Sequence, residues 1–72
     1  MTLGQRLKKA RIKSDLTFRY IIYKTKISET TLLNWESDRN KASFEGIVKL
    51  AELYGCSLNY LAGKEDETDV NW

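Results

Sequence analysis

The chain has 72 residues, with 12 Lys and Arg against 10 Asp and Glu, no His, no Pro and a single Cys, Cys56. That length supports one domain with a small core, and the composition excludes an internal disulfide, a Cys/His zinc site and any histidine-based catalytic triad. The net charge of +2 conceals an asymmetry: residues 1–26 hold eight basic side chains against Asp15 alone, whereas residues 27–72 hold four basic and nine acidic ones, a bipolar pattern that favours charged partners.

Leu3, Leu7 and Ala10 recur at helical spacing between Arg6, Lys8, Lys9 and Lys13, so the chain opens with an amphipathic helix. Thr2 is its expected N-cap, and Asp15 stands where a left-handed residue would end it. Thr17 caps a second helix from 18 to about 25, with Ile21, Ile22 and Thr25 inward. Lys26-Ile27 then forms a short turn without Gly or Pro. Ser28 caps a third helix from 29 to about 37, with Glu29 in its first turn and Ile27, Leu32 and Trp35 inward.

Residues 37–42 read as a polar loop. Ser43 caps a fourth helix over 44–54, with Phe44, Ile47, Leu50, Ala51 and Tyr54 inward and Gly55 as its stop. Ser57 caps a short fifth helix over 58–62, ended by Gly63. The domain is therefore expected to occupy residues 1–63. Residues 64–72, with Glu65, Asp66, Glu67 and Asp69, are expected to form a flexible acidic tail. The four glycines are scattered, so there is no phosphate-cradling loop. No apolar run approaches the ~20 residues needed to cross a bilayer, and the first 16 residues are too charged for a signal peptide. The expectation is a cytoplasmic, non-enzymatic protein with no membrane partner, no metal and no cofactor.

Several short motifs then fall in order. They are Leu16-Thr17, Ile27-Ser28, Thr31-Leu32-Leu33-Asn34-Trp35-Glu36, and Lys49-Leu50-Ala51-Glu52-Leu53-Tyr54-Gly55-Cys56-Ser57-Leu58-Asn59-Tyr60-Leu61. Each is weak alone, but their order and spacing resemble the lambda-repressor/Cro-type helix-turn-helix family. The resemblance covers residues 2–63 and implies an all-α, compact five-helix domain. It also implies duplex DNA binding, with the third helix in the major groove and the start of the second on phosphate. On that basis the DNA-binding set is Thr17, Arg19, Ser28, Glu29, Thr30, Asn34, Arg39, Asn40 and Lys41, and Phe18 and Leu33 fall at further backbone and base positions. Asn34 would pair with adenine and Glu29 would accept from cytosine N4.

The sequence departs from that family where DNA contact matters. Phe18 replaces the usual phosphate-bonding Gln. Tyr23 and Ile12 stand at normally charged, exposed positions, and Lys26 replaces the usual turn Gly. No Lys or Arg lies between Ser28 and Glu36, while Glu29 and Glu36 make that stretch acidic. Phosphate attraction dominates DNA affinity, so an acidic reading helix weakens the DNA case. Exposed Phe18, Tyr23 and Leu33 beside Glu29 would instead resemble a protein-binding hot spot.

In length and sequence the chain also resembles small phage antirepressors, the lactococcal phage modulators of repression among them. That resemblance implies a genetic-switch regulator that binds the DNA-binding domain of a CI-type helix-turn-helix repressor, blocks its operator binding and favours lytic growth. The partner-binding set would be Phe18, Arg19, Tyr23, Glu29, Thr30, Leu33 and Asn34. Such a protein is expected to be a monomer when free, with at most weak duplex binding. The alternative is a Cro-like repressor that reads operator DNA through the third helix. That role calls for a dimer, whose surface Tyr60 and Trp72 would supply.

Overall fold

The computed structural model describes residues 1–63. Five helices follow in chain order: α1 Leu3–Ser14, α2 Phe18–Thr25, α3 Glu29–Glu36, α4 Phe44–Tyr54 and α5 Leu58–Leu61. Among the described residues there is no strand, and no helix is long and apolar enough to cross a membrane.

Every helix starts on a hydroxyl cap. Thr2, Thr17, Ser28, Ser43 and Ser57 each accept a hydrogen bond from the backbone N–H three residues on. Such a cap satisfies one of the four orphan donors at a helix start, and replacing it by Ala costs typically about 1 kcal/mol. Thr2 and Gln5 complete a reciprocal capping box on α1. Three helices stop on left-handed residues: Asp15 at φ 60°, Lys26 at φ 62° and Gly55 at φ 75°. The turn between α2 and α3 is thus built with a lysine in a conformation that glycine adopts without steric cost.

Leu7, Ala10, Ile21, Leu32, Leu50, Ala51, Tyr54, Tyr60 and Leu61 form one buried cluster. Full burial of a Leu or Ile stabilises by about 1.5–3 kcal/mol. Around this cluster pack the half-buried Leu3, Leu16, Phe18, Ile22, Ile27, Trp35, Ile47 and Cys56.

Two glycines set how closely the helices meet. A Cβ on Gly4 would lie 2.4 Å from the Trp35 carbonyl oxygen and 2.7 Å from that of Glu36. Only hydrogen there lets α1 rest on the end of α3. A Cβ on Gly46 would fall 2.4 Å from the Trp35 ring, so only hydrogen there admits the indole against α4. Asp38, left-handed at φ 61°, closes the α1–α3 junction. Its carboxylate accepts from the Gly4 N–H at 3.0 Å and from the Thr2 hydroxyl. The loop after α3 therefore supplies α1 with a second cap, stabilised by the positive end of the helix dipole.

Several sequence expectations need correction. Phe44 is 75% exposed rather than inward, whereas Gly46 of the same opening turn is buried against Trp35. Tyr60 is fully buried under α1, with Arg6 stacked 5.3 Å from its ring centroid, and offers no dimer surface. Ser37 and Ala62 are C-caps rather than helical residues. Trp72 and the expected acidic tail, residues 64–72, lie outside the described residues.

Candidate interaction face

The helix pair α2–α3 carries the residues that the motifs single out, and local chemistry fixes each. Thr17 Oγ1 accepts from the Tyr20 N–H at 3.1 Å, and Ser28 Oγ accepts from the Thr31 N–H at 3.2 Å while donating to Thr31 Oγ1 at 2.9 Å. Both hydroxyls are therefore committed to starting their helices. From α3 the Glu29, Thr30 and Leu33 side chains face outward, Leu33 at 45% exposed, whereas Asn34 is half-buried. The Asn34 carbonyl accepts from the Arg39 N–H at 2.9 Å, the Asn40 N–H at 3.3 Å and Ser37 Oγ at 3.2 Å. That bonding folds the loop after α3 back toward its last turn. Arg39, Asn40 and Lys41 are exposed there, and Thr31, Asn34, Trp35, Asn40 and Lys41 line a shallow polar hollow.

Phe18 departs most from expectation. It is half-buried and packs on the core, and the Arg11 guanidinium covers its ring at 4.4 Å from the centroid. Arg11 in turn makes a bidentate pair with Glu36, Nε to Oε2 at 2.8 Å and Nη2 to Oε1 at 3.1 Å. Hydrogen bonding to Glu36, opposed by burial, raises the Arg11 pKa above its ordinary value. Glu36 is therefore an internal carboxylate neutralised by its partner. The acidic character of α3 rests on Glu29 alone, and Arg11 is no solvated surface cation.

The structure also divides the expected aromatic patch. Phe18 lines a shallow hollow with Lys8, Arg11, Leu33, Glu36 and Ser37. Tyr23, five residues on, points roughly 140° around the helix from Phe18. It is 68% exposed and shares its side of α2 with Arg19 at i,i+4 spacing, with Lys26 Nζ 5.1 Å from its ring centroid. Phe18 and Leu33 thus come together with a cation above them, and Tyr23 with Arg19 forms a separate prominence.

Reading the residues missed the Arg11–Glu36 pair. The available signal was Arg11 four residues after Leu7 and one after Ala10, at the edge of the buried stripe of α1. Tyr54 is buried in the core as its spacing predicts, but nothing in the spacing signals the state of its hydroxyl. Its hydroxyl is buried and makes no hydrogen bond, and burial, reinforced by Glu36, pushes its pKa well above the usual phenol value. Burial likewise raises the Cys56 thiol, which makes it a packing group rather than a nucleophile.

Comparison with known proteins agrees with this architecture. The family pattern described as "Helix-turn-helix domain" matches residues 4–67. The chain is 37% identical over 71 residues to the HTH-type transcriptional regulator ImmR of Bacillus subtilis, covering 99% of this chain and 56% of that protein. It is 31% identical over 65 residues to the uncharacterized HTH-type transcriptional regulator YobD of the same organism, covering 90% of this chain and 58% of that protein. The chain thus spans little more than half the length of these relatives. No solved structure gives a significant match.

Proposed function

The chain belongs to the helix-turn-helix family of transcriptional regulators, and we propose that it works there as an antirepressor of the phage type. Its α2–α3 face would dock on the DNA-binding domain of a partner helix-turn-helix repressor and cover the surface that reads the operator. The observation that carries this reading is the outward side of α3. It presents Glu29, Thr30 and Leu33, with no Lys or Arg anywhere from Ser28 to Glu36. A duplex presents one phosphate charge per ~1.7 Å of axis, and such a helix has nothing to neutralise it. A repressor's reading surface is basic, and Glu29 at the open N-terminus of α3 would pair with one of its Lys or Arg side chains.

Tyr23 and Leu33 supply the exposed apolar area, Phe18 the half-buried floor beside Leu33, and Arg19, Thr30 and Asn34 a polar rim. The resemblance to small phage antirepressors supports the same assignment, together with a cytoplasmic setting in a bacterial host. The test is operator release. A labelled operator duplex bound to the cognate repressor is titrated with this chain and followed by anisotropy. Stoichiometric release supports the proposal, and an unchanged repressor–operator complex at saturating chain refutes it.

A second reading has one observation in its favour. Arg19, Arg39, Asn40 and Lys41 are exposed on both flanks of α3, where phosphate-positioning groups of a duplex reader would stand. A Cro-like repressor would use them with Asn34 and Thr30 on base edges. Arg19→Ala and Lys41→Ala would then each lower the salt slope of binding by about one, and Asn34→Ala would relax base preference.

A further inference from the structure

The outward side of α2 has the opposite charge to the outward side of α3. From Leu16 to Ser28 the chain carries Arg19, Lys24 and Lys26 and no Asp or Glu. Two tyrosines stand among these cations, Tyr20 at 43% and Tyr23 at 68% exposed. Each ring has a lysine ammonium beside it, Lys24 Nζ 5.9 Å from the Tyr20 centroid and Lys26 Nζ 5.1 Å from that of Tyr23. Arg19 is exposed one turn before Tyr23 on the same side of the helix. Among the described residues neither Arg19 nor Lys26 pairs with a carboxylate. Lys26 is also an unexpected residue for its place. It ends α2 at φ 62°, where glycine would stand without steric cost. Its side chain instead lies against the most exposed ring of the α2–α3 face. A residue that is locally unfavourable and organises an exposed neighbour points to function rather than folding.

We propose that Arg19, Tyr23 and Lys26 form a carboxylate-binding site, and that the partner repressor presents an Asp or Glu side chain to it. This assignment rests on the antirepressor reading of the α2–α3 face and adds the chemistry that the partner must supply there. With Lys26 against the Tyr23 ring and Arg19 on the same side, a partner Lys or Arg brought to this prominence meets like charge. A carboxylate meets the opposite: it can accept from the Tyr23 hydroxyl and from the Arg19 guanidinium, whose fork matches its two oxygens. The face is therefore bipolar, with Glu29 at the start of α3 set for a basic group and the end of α2 set for an acidic one. Two charge pairs of opposite sign fix which way round the partner docks, and the reversed orientation places like charges together. The same arrangement makes Arg19, Tyr23 and Lys26 specificity-determining. A repressor with a wholly basic reading surface is rejected, and one with an acid at the matching place is accepted.

The test is calorimetric titration of the cognate repressor with the full chain and its variants. Lys26→Gly removes the ammonium and also relieves the left-handed turn, so stability and binding should move in opposite directions. The expected result is a melting temperature unchanged or raised, with binding about fivefold weaker at about 0.05 M NaCl and a difference that closes at about 0.5 M. Arg19→Gln should behave in the same way, and Tyr23→Phe should weaken binding without the salt dependence. Arg19→Glu should be rescued at least fivefold by one Asp or Glu changed to Lys on the repressor's DNA-binding domain. Binding within twofold of the unaltered chain in both Lys26→Gly and Arg19→Gln overturns the site while leaving the antirepressor reading in place. Tighter binding in either variant also overturns it, because the site would then face a cation. A loss that is equal at both salt concentrations and accompanied by a lower melting temperature shows a structural role only and overturns it too. Binding of a random-sequence duplex by the unaltered chain, lost in the same two variants, assigns the anion to DNA phosphate instead. An unaltered chain that does not bind the repressor removes both this site and the reading it rests on.

Discussion

Removing the Arg11 guanidinium should be among the most damaging single changes to this domain. In Arg11→Met the aliphatic stem survives but both bonds to Glu36, at 2.8 and 3.1 Å, are lost. The Glu36 side chain is only 5% exposed, so water cannot replace them. An ion pair broken on one side in a buried setting costs about 3–5 kcal/mol. Loss of the cation over Phe18, 4.4 Å from the ring, adds about 0.5–1 kcal/mol. A domain of this size has roughly 3–9 kcal/mol of stability in total. The substitution should therefore lower the melting temperature by roughly 14–48 °C or leave the chain largely unfolded.

Arg11→Met combined with Glu36→Leu should recover most of that loss, because an apolar pair leaves no stranded charge. Urea unfolding followed by circular dichroism gives the full cycle, and a coupling above about 2 kcal/mol is expected. A cost of Arg11→Met below about 1 kcal/mol, or a double variant as unstable as the sum of the singles, would refute this reasoning.

Other outcomes follow from single features. Gly46→Ala drives a methyl to within 2.4 Å of the Trp35 ring and should cost about 1–3 kcal/mol in the same unfolding assay. Tyr54→Phe removes a buried hydroxyl that has no hydrogen bond, so it should be neutral or stabilising. The raised Tyr54 pKa also gives a sign to alkaline behaviour. The folded state holds this proton more tightly than the unfolded chain, so its contribution is intact below the ordinary phenol pKa of about 10 and is lost as pH rises above it. Tyr54→Phe should flatten that loss, measured as melting temperature from pH 8 upward. Tyr23→Ala touches a side chain that is 68% exposed and should change stability by less than about 0.5 kcal/mol. Under the proposed antirepressor function it should nevertheless weaken repressor binding about 30-fold in titration calorimetry, as loss of an anchor worth about 2 kcal/mol does.

Local signals carried most of the architecture. The five hydroxyl caps stand where Thr2, Thr17, Ser28, Ser43 and Ser57 mark them, and the left-handed stops fall on Asp15 and Gly55 as their chemistry requires. Periodicity was a poorer guide at helix ends. Phe44 fits the apolar stripe of α4 by spacing, but in that first turn it is Gly46 that is buried against Trp35, and Phe44 stays exposed. Contacts distant in sequence were the least legible. Glu36 looks like surface charge until α1 brings Arg11 across 25 residues to meet it. Asp38 reads as loop until it is seen bonded to the Gly4 N–H. For the candidate face, residue type gave the absence of cations on α3, while the separation of Phe18 from Tyr23 required the helix geometry.

The most direct test of a protein-docking rather than duplex-reading face is selection from a random duplex-DNA library at near-physiological salt with the folded chain. The account predicts no enriched motif, because α3 brings no positive charge to the groove it would have to enter. Enrichment of a short two-fold motif, lost in Asn34→Ala, would contradict it and make the chain a direct operator reader.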